Sequence, residues 1–248
     1  MTRVLLHGFT GSPASFEPLT LGAAIAPPLL GHGAPVADMA GGFCAEVHRV
    51  AALIPDGAHV VGYSMGARIA LGVLLEHPGR VAGATLIGVH PGLCEEADRR
   101  ARARLDGRWI DLLEDHGIER FVAEWEALPM WSSQRDMPVE LLAAQRALRL
   151  RHDPRELAAA LRSLGLAGMP DYGARLGEIE VPVHLVAGEG DEKFRAISAR
   201  MQPRIQNAQL TLIPNCGHNP ILERPDLVAA LIHRPERKHH ELDRRTWL

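Results

Sequence analysis

Short runs of aliphatic residues alternate along this chain with stretches whose apolar positions recur at helical spacing. Val4-Leu5-Leu6 predicts a buried strand that ends at the loop His7-Gly8-Phe9-Thr10-Gly11-Ser12. A short helix over 14–19 follows, then a strand over 23–27 that closes in Leu30-Gly31-His32-Gly33. Phe43, Val47, Val50, Ala51 and Ile54 share one side of a helix over 43–54. Ala58-His59-Val60-Val61 is the next strand and runs straight into Gly62-Tyr63-Ser64-Met65-Gly66. A helix over 67–77 is stopped by Pro78-Gly79, and a strand over 81–89 ends at His90-Pro91-Gly92. Regular alternation of this kind predicts an α/β fold with a mostly parallel, doubly wound sheet.

From about Cys94 to Arg175 the strand pattern is missing. Four helical stretches can be drawn there, over 95–115, 118–127, 138–150 and 154–164. An insertion of this size between sheet strands is expected to be a helical cap over the carboxyl ends of the strands, where ligands bind. Strands resume over 181–187 and 208–213, and a helix over 225–233 ends the pattern. The chain therefore divides into a core, 1–93 and 176–233, and a cap, 94–175. The polar segment 234–248, with Lys238-His239-His240, is expected to be a frayed tail.

Composition narrows the partners. With 46% hydrophobic and 23% charged residues and a formal net charge of −3, nothing points to nucleic acid or to a membrane surface. Lys+Arg totals 27, yet only Lys193 and Lys238 are lysines, so an arginine is no functional signal merely for being one. Cys44, Cys94 and Cys216 lie far apart, without the spacing of a zinc site or a disulfide framework. The apolar run over 4–6 is too short for the core of a signal peptide, and no stretch approaches the roughly 18 apolar residues of a membrane span. A cytoplasmic protein is expected, without metal or organic cofactor.

The chemistry centres on Ser64. Gly62-x-Ser64-x-Gly66 lies between a strand and a helix, the setting in which G-x-S-x-G acts as a nucleophile elbow. The serine occupies a sharp turn, so its neighbours two residues away must be small. An acid and a histidine should follow, in that order. Asp191 stands at the end of one later strand, in Gly188-Glu189-Gly190-Asp191, and His218 at the end of the next, in Asn215-Cys216-Gly217-His218. His218 would accept the serine proton, while Asp191 would fix the imidazole tautomer. Glu189 is the rival acid. His7, His32 and His90 also fall at strand ends, but none follows an acid, and they are expected to shape loops or line the pocket. Negative charge on a reacting oxygen needs donors, and the backbone N–H groups of Phe9 and Met65 are placed to be an oxyanion hole.

These residues resemble the α/β-hydrolase superfamily. Within it, Gly62-Tyr63-Ser64-Met65-Gly66-Ala67-Arg68, His90-Pro91-Gly92-Leu93, Trp125-x-x-x-Pro129, the Arg149 helix and Asp191-Glu192-Lys193-Phe194-Arg195 are similar to one branch. That branch is the 2-succinyl-6-hydroxy-2,4-cyclohexadiene-1-carboxylate synthases of menaquinone biosynthesis, and the similarity spans about residues 4–230. The resemblance implies a carbon–oxygen lyase. Its Ser-His-Asp triad removes a proton from the substrate, so that electrons flow through the ring and expel pyruvate. It also implies a polycarboxylate substrate met by Arg68, Arg102 and Arg149, with Tyr63 and Trp125 lining the pocket. Ala67 stands where relatives usually have glycine, and Asn219-Pro220-Ile221-Leu222 falls in a segment that varies between the synthases and plain hydrolases.

Arg68 lies one helical turn after Ser64, which allows it to face the pocket, and a solvated helix arginine is the alternative. Arg102 and Arg149 sit among many cap arginines, and Trp125 equally suits packing beneath the cap. The same triad also serves an ester or lactone hydrolase working through an acyl-serine, or survives in a non-catalytic receptor.

Overall fold

The computed structural model describes residues 1–35 and 41–233. The expected tail over 234–248 lies outside the described residues. Five strands, β1 (Arg3–Leu6), β2 (Ala58–Tyr63), β3 (Val81–Ile87), β4 (Val183–Gly188) and β5 (Ala208–Ile213), form one sheet in the order β1-β2-β3-β4-β5, and every pairing is parallel. Alternate strand residues go to opposite faces, and each face has its own core. Val4, Leu6, Val60, Leu86 and Leu185 pack with α1 (Gly42–Leu53), α2 (Met65–Glu76) and α6 (Glu192–Met201). Leu5, Val61, Ile87 and Val186 pack on the other face with Phe16 and Leu19, and with Val228 and Ile232 of α8 (Pro225–His233).

The strand expected over 23–27 shrinks to a single rung. Ile25 pairs with Val4, with Leu5 N–H donating to the Ile25 carbonyl at 2.8 Å and Ile25 N–H to the Arg3 carbonyl at 2.9 Å. Ala26-Pro27-Pro28 follows, and the two prolines have no N–H with which to extend the ladder. That rung still decides the topology. The chain leaves β1 toward one edge and returns to pair β2 on its other side, so the winding direction reverses at β1. Loops that leave neighbouring strands at such a reversal diverge and open a crevice at the carboxyl ends. Leu6 pairs with Gly62, which sends His7–Phe9 and Tyr63–Met65 out side by side at its mouth.

Between β3 and β4 the described chain forms helices and 3-10 turns: α3 (Glu96–Glu126), α4 (Val139–Arg149), α5 (Pro154–Leu164) and turns at Pro129–Gln134 and Gly173–Glu178. The helices expected over 95–115 and 118–127 are the two arms of α3, which bends at Gly117 (φ 76°, ψ −176°). α3 packs on α5, and Leu113, Phe121, Val122, Leu157 and Leu161 form a third core that Phe9 joins from below. Helix α6 was not foreseen as a separate element. Its start is marked by Asp191, whose side chain accepts the Phe194 N–H as an N-cap. A final short helix, α7 (Pro220–Glu223), precedes α8.

Candidate active site

Ser64 sits between β2 and α2 with φ 52° and ψ −107°, a strained backbone for a residue with a side chain. Its N–H is tied to the Ile87 carbonyl at 2.8 Å. The two glycines of the turn are sterically obligatory. A Cβ on Gly62 would lie 2.6 Å from the Ala67 Cα, and one on Gly66 would lie 2.0 Å from the Leu6 carbonyl oxygen. Strand, turn and helix can approach this closely only without those side chains.

His218 and Asp191 arrive from the ends of β5 and β4. His218 Nε2 lies 3.2 Å from Ser64 Oγ, and His218 Nδ1 lies 2.6 Å from Asp191 Oδ2. With Nδ1–H donating to the carboxylate, the Nε2 lone pair faces the hydroxyl, the tautomer a general base requires. The imidazole is 3% exposed, against Phe194 (ring centroids 4.5 Å), Tyr63 (5.6 Å) and Trp131 (5.8 Å). Glu189, the rival acid, is exposed, and its side chain makes no hydrogen bond to His218.

A residue that the sequence reading passed over holds the histidine loop. Glu223 accepts the Gly217 N–H at 2.6 Å and the Asn219 N–H at 3.2 Å, one on each side of His218. Gln134, buried in the cap turn, donates to the same carboxylate at 3.3 Å. Trp131 of that turn was also passed over. The Trp-x-x-x-Pro run placed an aromatic at Trp125, and only the 3-10 geometry after Pro129 brings the second indole onto His218.

The two expected oxyanion donors are both free. Neither the Phe9 nor the Met65 N–H donates to any acceptor among the described residues. Met65 also begins α2, where the unpaired N–H groups of a helix N-terminus favour negative charge.

Gly8, Phe9, Tyr63, Trp131, Arg149 and Ile221 are among the residues around a cleft. Of the five side chains expected to meet substrate, Tyr63 and Arg149 line it. Burial raises the Tyr63 phenol well above its usual range, so it remains a donor. Arg149 is held by Glu126 at 2.9 Å and lies 5.1 Å from the centre of the Trp131 ring, and burial lowers its pKa. Trp125 packs beneath the cap, with ring centroids 5.6 Å from Phe9, 5.3 Å from Trp109 and 5.6 Å from Phe121.

Arg68 is turned toward the cap. It donates to the Leu164 carbonyl at 2.8 Å, and burial followed by the charge of Arg102 lowers its pKa to about 9. Arg102 pairs with Asp106 at 2.8 Å, and the other Asp106 oxygen is buried with no partner among the described residues. His90, at the end of β3, feels all these charges. Burial lowers its pKa to about 4, and Lys193, Arg68, Arg102 and Arg200 push in the same direction. Like charges held close together depress one another unless an anion joins them.

The model of the alpha/beta hydrolase family matches residues 4–231. The 2-succinyl-6-hydroxy-2,4-cyclohexadiene-1-carboxylate synthase of Enterobacter sp. (strain 638) is 33% identical over 241 residues, covering 92% of this chain and 89% of that protein. The solved structure of MenH from S. aureus superposes with a TM-score of 0.87 at 32% identity, over 94% of this chain and 91% of that one. Est816, described as an N-acyl homoserine lactone degrading enzyme, has a TM-score of 0.73 at 26% identity, over 94% and 92% of the two chains. The chain belongs to the alpha/beta hydrolase family, as an enzyme of the group that holds the 2-succinyl-6-hydroxy-2,4-cyclohexadiene-1-carboxylate synthases.

Proposed function

We propose that this enzyme is itself a 2-succinyl-6-hydroxy-2,4-cyclohexadiene-1-carboxylate synthase, a lyase that expels pyruvate from a polycarboxylate intermediate of menaquinone biosynthesis. What supports this reading is Arg68, which turns from the helix that Ser64 begins toward the cap, donates to the Leu164 carbonyl at 2.8 Å and feels the charge of Arg102, with Lys193 also under the influence of Arg102. A neutral ester has no use for such a collection of cations, whereas a substrate with several carboxylates offsets their mutual repulsion.

In the proposed reaction His218 Nε2 takes the Ser64 hydroxyl proton, and the alkoxide removes a proton from a ring carbon of the substrate. The freed electron pair moves through the ring and breaks the carbon–oxygen bond; the enolpyruvate that leaves takes up the proton held by His218 and becomes pyruvate, and a cyclohexadiene remains. Charge that develops on the substrate's oxygen meets the N–H groups of Phe9 and Met65, while Asp191 steadies the imidazolium. Residues 94–175 act as the cap, with Tyr63 and Arg149 orienting the substrate in the cleft and Arg68 and Arg102 drawing its carboxylates from the other side. Trp125 sets the cleft wall through its packing. Such a pathway enzyme belongs in the cytoplasm.

A second reading rests on the likeness to the lactone-degrading Est816. The same serine would then form an acyl-enzyme with an ester or lactone. Incubation with the pathway intermediate, following pyruvate release beside a short-chain ester control, separates the two. Pyruvate release that is abolished by Ser64→Ala is expected. Rapid ester turnover without pyruvate would sink the synthase reading.

A further inference from the structure

Three imidazoles meet behind the Phe9 loop, and none belongs to the Ser64–His218–Asp191 relay. They come from three places: His7 from the end of β1, His32 from the loop before α1, and His152 from the link between α4 and α5 in the cap. Ring centroids are 5.2 Å apart from His7 to His32, and again 5.2 Å from His32 to His152.

Each imidazole holds a different, successive peptide unit. His7 Nδ1–H donates to the Gly8 carbonyl at 2.9 Å, which fixes the unit between Gly8 and Phe9. The Thr10 N–H donates to His32 Nε2 at 3.1 Å, which fixes the next. His152 Nε2–H donates to the Thr10 carbonyl at 3.2 Å, which fixes the third. The second nitrogen of both core rings fixes their tautomers: Leu29 N–H donates to His7 Nε2 at 3.4 Å, and His32 Nδ1–H donates to the Leu30 carbonyl at 3.0 Å. Burial keeps both neutral, lowering His7 to about 4 and His32 well below its usual range.

The first of these bonds matters most. A trans peptide is planar, and its C=O and N–H point in opposite directions. The Gly8 carbonyl is held by His7 from the core and by the Gly11 N–H at 3.0 Å within the loop, and holding it there aims the unpartnered Phe9 N–H the other way. Thr10, next in line, has φ 63°, a conformation unfavourable for a threonine, and its N–H and its carbonyl are each clamped by one of the other two rings.

We infer that His7, His32 and His152 form a positioning rail that aims the Phe9 N–H at the reacting oxygen, and that His152 ties this aim to the seating of the cap. The inference rests on the oxyanion role given to Phe9 above. It does not depend on which substrate the enzyme takes.

The test uses a fluorophosphonate, which needs only Ser64, its base and the oxyanion donors. Ser64 Oγ forms a bond to phosphorus, the phosphorus–fluorine bond breaks, fluoride leaves, and the hydroxyl proton passes to His218. In the full chain, His7→Leu should slow Ser64 labelling by about 100-fold, the loss typical of removing one oxyanion donor. His7→Asn keeps an N–H close to the Nδ1 position and should recover to within about tenfold of the native rate. His152→Ala should slow labelling by about tenfold without changing the urea midpoint by more than the scatter of the measurement. With a turned-over substrate, kcat should fall in parallel while KM stays within about twofold. Labelling of folded His7→Leu at the native rate would overturn the proposal, as would an Asn variant no faster than the Leu variant. Should His7→Leu fail to fold, His152→Ala decides, and a native labelling rate there rejects the rail. Labelling of the native enzyme without pyruvate release would defeat the synthase reading alone.

Discussion

Glu223 gives one carboxylate to the N–H groups on both sides of His218, at 2.6 Å and 3.2 Å. Removing it orphans two backbone donors beside the proposed base, and Gly217 is buried. Glu223→Ala should cost about 3 kcal/mol in urea unfolding, since an unsatisfied buried donor costs about 1–3 kcal/mol. It should also lower kcat about tenfold through drift of the imidazole from Ser64. A stability loss with native kcat would confine Glu223 to holding the loop. The contrast with the triad shows what a single sequence exposes. Ser64, Asp191 and His218 each stand at the end of an apolar run, and the parallel sheet brings such ends together, so their meeting could be read in advance. Glu223 and Gln134 meet across 89 residues between the cap and α7, and no local pattern announces such a pair. The directions of Arg68 and Arg102 were equally hidden. A one-turn offset from Ser64 limits Arg68 to a helix face, but whether it reaches the Leu164 carbonyl or open solvent is decided by the cap.

The elements were legible where periodicity and punctuation agreed. Pro78-Gly79 stops α2 as expected, and the gap between the two helical stretches at 115–118 falls on the break of α3 at Gly117. The failure over 23–27 has a plain cause: an apolar composition suits a strand, but Pro27-Pro28 removes the donors that a second rung would need. At Gly117 the conformation is one that only glycine adopts without strain, and a Cβ there would meet little but the Glu119 carboxylate at 3.8 Å. A substitution therefore reports backbone strain with little steric clash. Gly117→Ala should cost about 1–3 kcal/mol. The strain can be relieved by straightening α3, which would move the arm that carries Phe121 and Trp125 off Phe9. Urea unfolding measures the cost, and a red shift of the tryptophan emission should accompany it. A variant as stable as the native enzyme would mean that the bend is set by packing on α5 instead of by the glycine.

Neutral buried histidines tie the stability of the whole molecule to pH. His7 and His32 lie inside the fold at 0% and 3% exposure, and each has its pKa lowered by burial, His7 to about 4. Half-buried His59 and His90 are lowered to about 4 as well, also chiefly by burial. In the unfolded chain each regains an ordinary value near 6.5. Between about pH 6.5 and pH 4 the unfolded state therefore binds protons that the folded state refuses. Stability rises with pH wherever the unfolded state holds more protons, so acidification through this window must destabilise the fold. His7 and His32 alone amount to two protons near pH 5, a slope of about 3 kcal/mol per pH unit. Partial exposure of His59 and His90 makes their share smaller. Urea unfolding at pH 7, 6 and 5 checks this: little change is expected above pH 7, and a steep loss toward pH 5. The same loss should be shallower in His7→Asn, which keeps a donor but has no group to titrate. Flat stability from pH 7 to pH 5 would mean that both imidazoles take up protons inside the fold. Protonation would then remove the Nε2 lone pair that accepts the Thr10 N–H, and the arrangement around Phe9 would have to be redrawn.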